Sequence, residues 1–155
     1  LMRDCPRIPC IEISPVQRPY RAQQVLSGSS HSDLMPELWI SDPEQPLPQA
    51  LELSWKSERT LSEIRIVFDT DLDMSHPAFE PIDTLVKSYR IEAYSNGVWR
   101  EILREEDNRI RFRIHRFPTV KVSAVRIVVD AVHAGGRSAR VFEIRAYGPP
   151  INSKH

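Results

Sequence analysis

The strongest constraint on this chain is an alternation of apolar and polar residues that recurs through its second half. Ile64, Ile66 and Phe68 fall on one side of such a stretch. So do Tyr89, Ile91 and Ala93, then Ile110, Phe112 and Ile114, then Val125, Ile127 and Val129, then Phe142, Ile144 and Ala146. A period of two places every second side chain on one face of a strand. Several such strands at short spacing, with almost no helical period among them, predict an all-β fold, an antiparallel sandwich or barrel. Folds of this kind carry recognition in their loops more often than they carry chemistry.

The 155 residues suffice for one domain with a real core. Twenty-one basic residues balance twenty-one acidic ones, so the chain has no general attraction to nucleic acid or to anionic lipid. No apolar run is long enough to insert across a bilayer as a helix. The two cysteines, Cys5 and Cys10, lie outside the patterned region. Pro6 and Pro9 restrict the backbone between them, two thiols cannot complete a zinc site alone, and cysteine usage leaves the compartment open. The features of a signal peptide do not follow Leu1, and the chain reads as a piece of a longer protein.

Residues 1–19, with Pro6, Pro9, Pro15 and Pro19, read as a linker or arm; 20–148 as the β-domain; 149–155 as a tail. Residues 20–27 fit a strand or one helical turn, and 28–49 a long loop with an apolar anchor at Leu38 to Ser41. Strands are expected at 50–55, 61–68, 87–94, 98–103, 110–117, 123–130 and 140–147. Asn96-Gly97 is a tight hairpin turn, since both residues tolerate positive φ. In an antiparallel arrangement the connections alternate between two ends. The short ones at 56–60, 95–97 and 118–122 then share one end, and the long ones at 28–49, 69–86, 104–109 and 131–139 share the other, where a binding site is expected.

The stretch SAVRIVVDAVHAGGRSARVFEIRAYG, Ser123 to Gly148, resembles the end of discoidin-like domains, also called coagulation factor 5/8 type C domains. LWISDPEQPLPQALELSW, Leu38 to Trp55, resembles the opening of the same domains. The resemblance spans roughly residues 20 to 148 and implies a galactose-binding-like jelly-roll sandwich that binds carbohydrate or phospholipid. LMRDCPRIP (Leu1 to Pro9) and FDTDLD (Phe68 to Asp73) further resemble the C-terminal module of bacterial FAD-dependent oxidoreductases. That likeness implies an accessory domain beside a parent catalytic domain, with the flavin held elsewhere, because no G-x-G-x-x-G is present. The family often holds Ca²⁺ in its opening loop, through an Asp-Gly pair and a Thr two residues before the Trp. Here Ser27-Gly28 and Glu37 stand at those places, which removes a carboxylate ligand.

Asp69, Asp71 and Asp73 form D-x-D-x-D, a spacing that can offer oxygens to a hard cation or cap the start of a polar loop. The glycine and closing Glu of an EF-hand loop are missing. Arg109, Arg111, Arg113 and His115 alternate with Ile110, Phe112 and Ile114. Such a row can grip phosphates, or lie on a solvated outer face opposite carboxylates such as Glu92, Glu101 or Glu143. The neutral chain favours the outer face, with Ile110, Phe112 and Ile114 turned to the core. Trp55 is expected on a core face, Trp39 as an anchor under the loop, and Trp99 over one end of the core. Phe79 and Tyr94 remain as exposed stacking candidates.

A non-catalytic, carbohydrate-binding accessory module is the leading expectation. Its ligand-binding candidates are Asp71, Asp73, His76, Phe79, Arg109, His133 and Arg137, all in or beside the long loops. Carboxylates and Arg would bond hydroxyls and Phe79 would stack. The alternative is a structural domain that packs on its parent or mediates oligomerisation without a small ligand. A free-standing hydrolase is disfavoured, because no nucleophile, base and orienting group can be read from the spacing.

Overall fold

The computed structural model describes residues 38–70, 85–136 and 138–150. Cys5, Cys10, the arm at 1–19, the segment 20–27, Ser27-Gly28 and the tail from 151 onward lie outside the described residues. Six strands are formed among the described residues: β1 (Trp39–Ile40), β2 (Gln49–Phe68), β3 (Val86–Ser95), β4 (Val98–Glu105), β5 (Phe112–Val132) and β6 (Arg140–Tyr147). They hydrogen-bond in the order β1-β6-β2-β5-β3-β4, every pair antiparallel.

Two long strands turn this one ladder into a sandwich. The start of β2, Gln49 to Ser54, pairs with Ala124 to Val129 of β5, whereas Glu63 to Val67 pairs with Phe112 to Arg116. β3 joins only the later half of β5, and β6 only the later half of β2. One layer is therefore the start of β2, the end of β5, β3 and β4. The other is the start of β5, the end of β2, β6 and β1. The layers meet face to face: the Tyr89 ring of β3 touches Phe68 at 5.1 Å and His115 at 5.7 Å, although β3 pairs with neither segment. Ile64, Ile66, Phe68, Val129 and Val141 fill the interior with no exposed surface, beside Ile91, Val125, Ile127 and Ile144. Full burial of each such side chain is worth about 1.5–3 kcal/mol.

Two of the expected turns do not exist. Residues 56–60 and 118–122 are bends within β2 and β5, where the strands pass from one layer to the other. The ladder slips between Ser54 and Arg59 and again between Leu61 and Glu63, which curves the ribbon. Pro118 falls in such a slip, where no ladder donor is required. The Asn96-Gly97 hairpin is as expected, with φ of 52° and 80°.

The largest departure is the facing of β5. Ile110, Phe112 and Ile114 are 54%, 50% and 42% exposed, whereas His115 is 6% exposed. The register explains the inversion. Arg113 lies opposite Ile66 and His115 opposite Ile64, and cross-strand partners share a face. Because both isoleucines are in the core, Arg113 and His115 must point inward, and Phe112 and Ile114 outward beside Val67 and Arg65. The inward polar groups find partners across the gap between layers. Arg113 pairs with Glu105 of β4, and the Tyr89 hydroxyl meets His115 Nε2 at 2.6 Å.

The carboxylates expected opposite the basic row serve other arginines. Glu92 holds Arg90 and Arg126, Glu101 holds Arg104, and Glu143 holds Arg145. Trp99 is also not over the core. It pairs with Tyr94 at 5.1 Å under the Arg126 guanidinium, 4.3 Å away, on the outer face of the β3–β4 layer. Tyr94 is correspondingly half-buried. Trp39 and Trp55 pack with the core as expected.

Candidate functional site

The described parts of the connections, 41–48, 69–70, 106–111 and 138–139, are tied at one end of the sandwich by hydrogen bonds. Phe68 N–H donates to Arg111 O at 2.8 Å and Asp69 N–H to Arg140 O at 3.3 Å. Ser41 N–H donates to Ala139 O at 2.9 Å, and Ala139 N–H returns to Ser41 Oγ at 2.8 Å. Gln49 pins the first connection, accepting from Asp42 N–H and donating to the Asp42 and Gln45 carbonyls. Polar residues dominate these segments because connecting backbone must bond to side chains or water once it leaves the ladder.

Asn108 is the centre of this bracing. Fully buried, it donates Nδ2 to Val86 O at 2.9 Å, and its backbone N–H reaches Lys87 O at 2.8 Å. Its Oδ1 accepts from Ile110 N–H. Its carbonyl lies 2.7 Å from His133 Nε2; a carbonyl only accepts, so that ring nitrogen carries the proton. Asn108→Ala leaves the Val86 carbonyl without its partner in a buried place, and we expect a loss of about 1–3 kcal/mol in urea unfolding.

His133 is therefore a loop brace, buried and bonded to backbone, and not the solvent-facing ligand group expected from its place in a long loop. Arg109 does face solvent, 65% exposed by its side chain, with Asp107 at 3.0 Å. Asp69 is buried and paired with Arg140 at 3.2 Å, so its carboxylate is engaged by a cation. Asp71, Asp73, His76, Phe79 and Arg137 lie outside the described residues. Among the described residues, no group of three or more His, Cys, Asp or Glu could hold a metal ion.

Sequence reasoning missed the apolar part of this end. Phe112 and Ile110, assigned to the core, are exposed beside Arg109 and Arg111 in the chain. Phe112 faces Val67 across the ladder, and Val67 packs with Leu38, Phe142 and Ile40 in a second cluster outside the main core. The Arg111 guanidinium lies 5.4 Å from the centre of the Phe142 ring. The only available signal was the strictness of the two alternating sets; nothing local says which set faces in. The result is an exposed ring, Phe112, next in the chain to Arg111, whose guanidinium lies over Phe142. Such a surface can stack the C–H face of a sugar ring and bond its hydroxyls.

No protein-family model matches the chain. No curated protein matches it. Solved structures do match its fold. The family 32 carbohydrate-binding module of C. perfringens NanJ, in complex with galactose, superposes with a TM-score of 0.63 at 19% identity, covering 84% of this chain and 86% of that one. The family 32 module of Streptococcus pneumoniae EndoD gives 0.67 at 12% identity over 86% and 88%. Chitosan-binding module 1, derived from a chitosanase/glucanase of Paenibacillus sp. IK-5, gives 0.66 at 15% identity over 85% and 88%. With its antiparallel layers, its corner-turning strands and these structural likenesses, the chain has the discoidin-type, galactose-binding-like β-sandwich fold.

Proposed function

We propose that this domain is a non-catalytic accessory module that binds carbohydrate at its loop end. The observation that carries the reading is the exposed Phe112, close in the chain to the exposed Arg109 and to Arg111 over the Phe142 ring, in a fold shared with sugar-binding modules. Phe112 would form the stacking platform, while Arg109 and Arg111 would bond ring hydroxyls. Asp71, Asp73, His76, Phe79 and Arg137 complete the proposed set, on their place in the sequence. The chitosan-binding relative is derived from an enzyme, which supports an accessory role beside a catalytic domain. The likeness of Leu1 to Pro9 and Phe68 to Asp73 to the module of flavin oxidoreductases supports such an enzyme as the parent.

Titration calorimetry with galactose, N-acetylgalactosamine and chitotriose tests the reading. At least one sugar is expected to bind, and Phe112→Ala and Arg109→Ala are each expected to weaken it about tenfold, equivalent to about 1.4 kcal/mol. Silence on a broad glycan array at millimolar concentrations overturns it. The second reading, a purely structural domain, rests on the same exposed Ile110, Phe112 and Ile114, which a partner surface could cover. Light scattering of the domain alone and with its neighbouring domain separates the two.

A further inference from the structure

The far end of the sandwich carries a groove of about 510 Å³, lined by Glu63, Arg65, Arg116, Phe117, Tyr147 and Pro150 among others. Its place in the register sets it apart from the loops. Tyr147 stands opposite Glu63, whereas Phe68, five residues further along β2, stands opposite Val141 and leads into the loop end. Five strand residues span about 17 Å. Gly148 lets the end of β6 settle close to the bend of β2: a Cβ there would lie 3.1 Å from the Thr60 carbonyl oxygen.

The polar wall of the groove is built around one carboxylate and two guanidinium groups. Glu63 accepts from Arg65 Nε at 2.6 Å and from Arg116 Nε at 2.8 Å. These bonds hold the Glu63 carboxyl below its ordinary range, the Arg65 bond first and the Arg116 bond next. Each arginine is thereby oriented through Nε, and its two terminal nitrogens stay outside these bonds. The Arg65 guanidinium lies over the Tyr147 ring, 4.6 Å from its centre. Arg116 is 74% exposed by its side chain. Two cations against one anion leave an excess positive charge on a wall whose neighbours, Phe117, Tyr147 and Pro150, are apolar or aromatic.

We propose that this groove is a second binding site, specific for the carboxylate of an acidic sugar such as a uronate, presented between Arg65 and Arg116 with the pyranose ring against Phe117 and Pro150. Guanidinium groups match a carboxylate in shape and charge, and charge-assisted bonds are the strong ones. A neutral sugar leaves the excess charge unanswered. A small bare carboxylate leaves the apolar wall in water. The volume lies within the usual range for small-ligand sites, about 300–1,000 Å³. No residue is shared with the loop-end site, so either site can fail without the other.

The test is an amide NMR titration of the whole chain with trigalacturonate, its methyl ester and glutarate. Trigalacturonate is expected to shift the amides of Ser62 to Arg65, Arg116, Phe117, Tyr147 and Gly148. The ester should leave them unmoved, and glutarate should bind at least about tenfold more weakly. Arg116→Ala alters an exposed side chain and is expected to weaken binding about tenfold, while Phe112→Ala leaves it unchanged. Equal response to the ester, equal affinity for glutarate, shifts confined to the loop end, or no shifts at all would each overturn the proposal. Failure of Phe112→Ala to weaken galactose-type binding bears only on the loop-end reading.

Discussion

Phe68→Ala is expected to lower the unfolding free energy by about 3–5 kcal/mol in urea titrations, and Phe112→Ala by less than about 0.5 kcal/mol. The two phenylalanines occupy superficially equivalent places, each in an alternating apolar set of a β-strand. Phe68 has no exposed surface and touches Tyr89 of the opposite layer at 5.1 Å, so its removal opens a void between the layers. Its backbone N–H also anchors Arg111 O, at the point where β2 leaves the sheet. Half of Phe112 is already in water, and its truncation removes surface packing against Val67 and little else. A cost for Phe112→Ala comparable to that of Phe68→Ala would place Phe112 in the core. The register that sets Arg113 opposite Ile66 would then be wrong, and with it the loop-end platform.

This contrast marks where the sequence was legible. Alternation around Ile66, Ile91, Ile127 and Ile144 reports strand and core together, because charged residues such as Arg65, Arg90, Arg126 and Glu143 stand in the opposite set, even though Val67, Val128 and Val141 interrupt it. The Asn96-Gly97 turn is legible for a local reason, its tolerance of positive φ. Around Phe112 both sets are chemically plausible for either face. The choice is made by Ile64 and Ile66, some fifty residues earlier in the chain, and by Tyr89 and Glu105, which offer inward partners to His115 and Arg113. The bends at 56–60 and 118–122 were unreadable for a similar reason. A run of exposed polar residues such as Lys56 to Thr60 fits a turn as well as a strand crossing between layers. His133 misled in the opposite way: a histidine in a long loop suggests access to solvent, yet this one is consumed in bracing the Asn108 carbonyl. Ligand-facing and loop-bracing histidines differ only in what the fold puts next to them.

Acid is expected to destabilise the domain between pH 6.5 and 4.5 through His115. Burial first, and the nearby Arg113 charge second, push the His115 pKa from 6.5 down to about 4. Burial also raises the Tyr89 hydroxyl to about 12, so both partners are neutral near pH 7. The Tyr89 hydroxyl and His115 Nε2 share one hydrogen bond at 2.6 Å, whose direction follows the imidazole tautomer. The charged imidazolium has no bare ring nitrogen left to accept from the hydroxyl, and it puts a second cation beside Arg113. The unfolded chain takes up this proton below about pH 6.5 and the folded chain only near pH 4. Stability is therefore complete above 6.5 and falls as pH drops toward the folded value, by about 2–3 kcal/mol at pH 4.5. The paired carboxylates Glu63, Glu92 and Glu101 are held below their ordinary 4.5, so their contributions are fully present above about 4.5 and fade only below it. His115→Gln keeps an acceptor for the Tyr89 hydroxyl but cannot titrate. Urea unfolding at half-unit steps from pH 7 to 4.5 should give a sloping line for the parent chain and a nearly flat one for the variant. Equal slopes for both would show that His115 is open to water, and that the polar seam from Glu105 through Arg113 and Tyr89 does not close the layers as described.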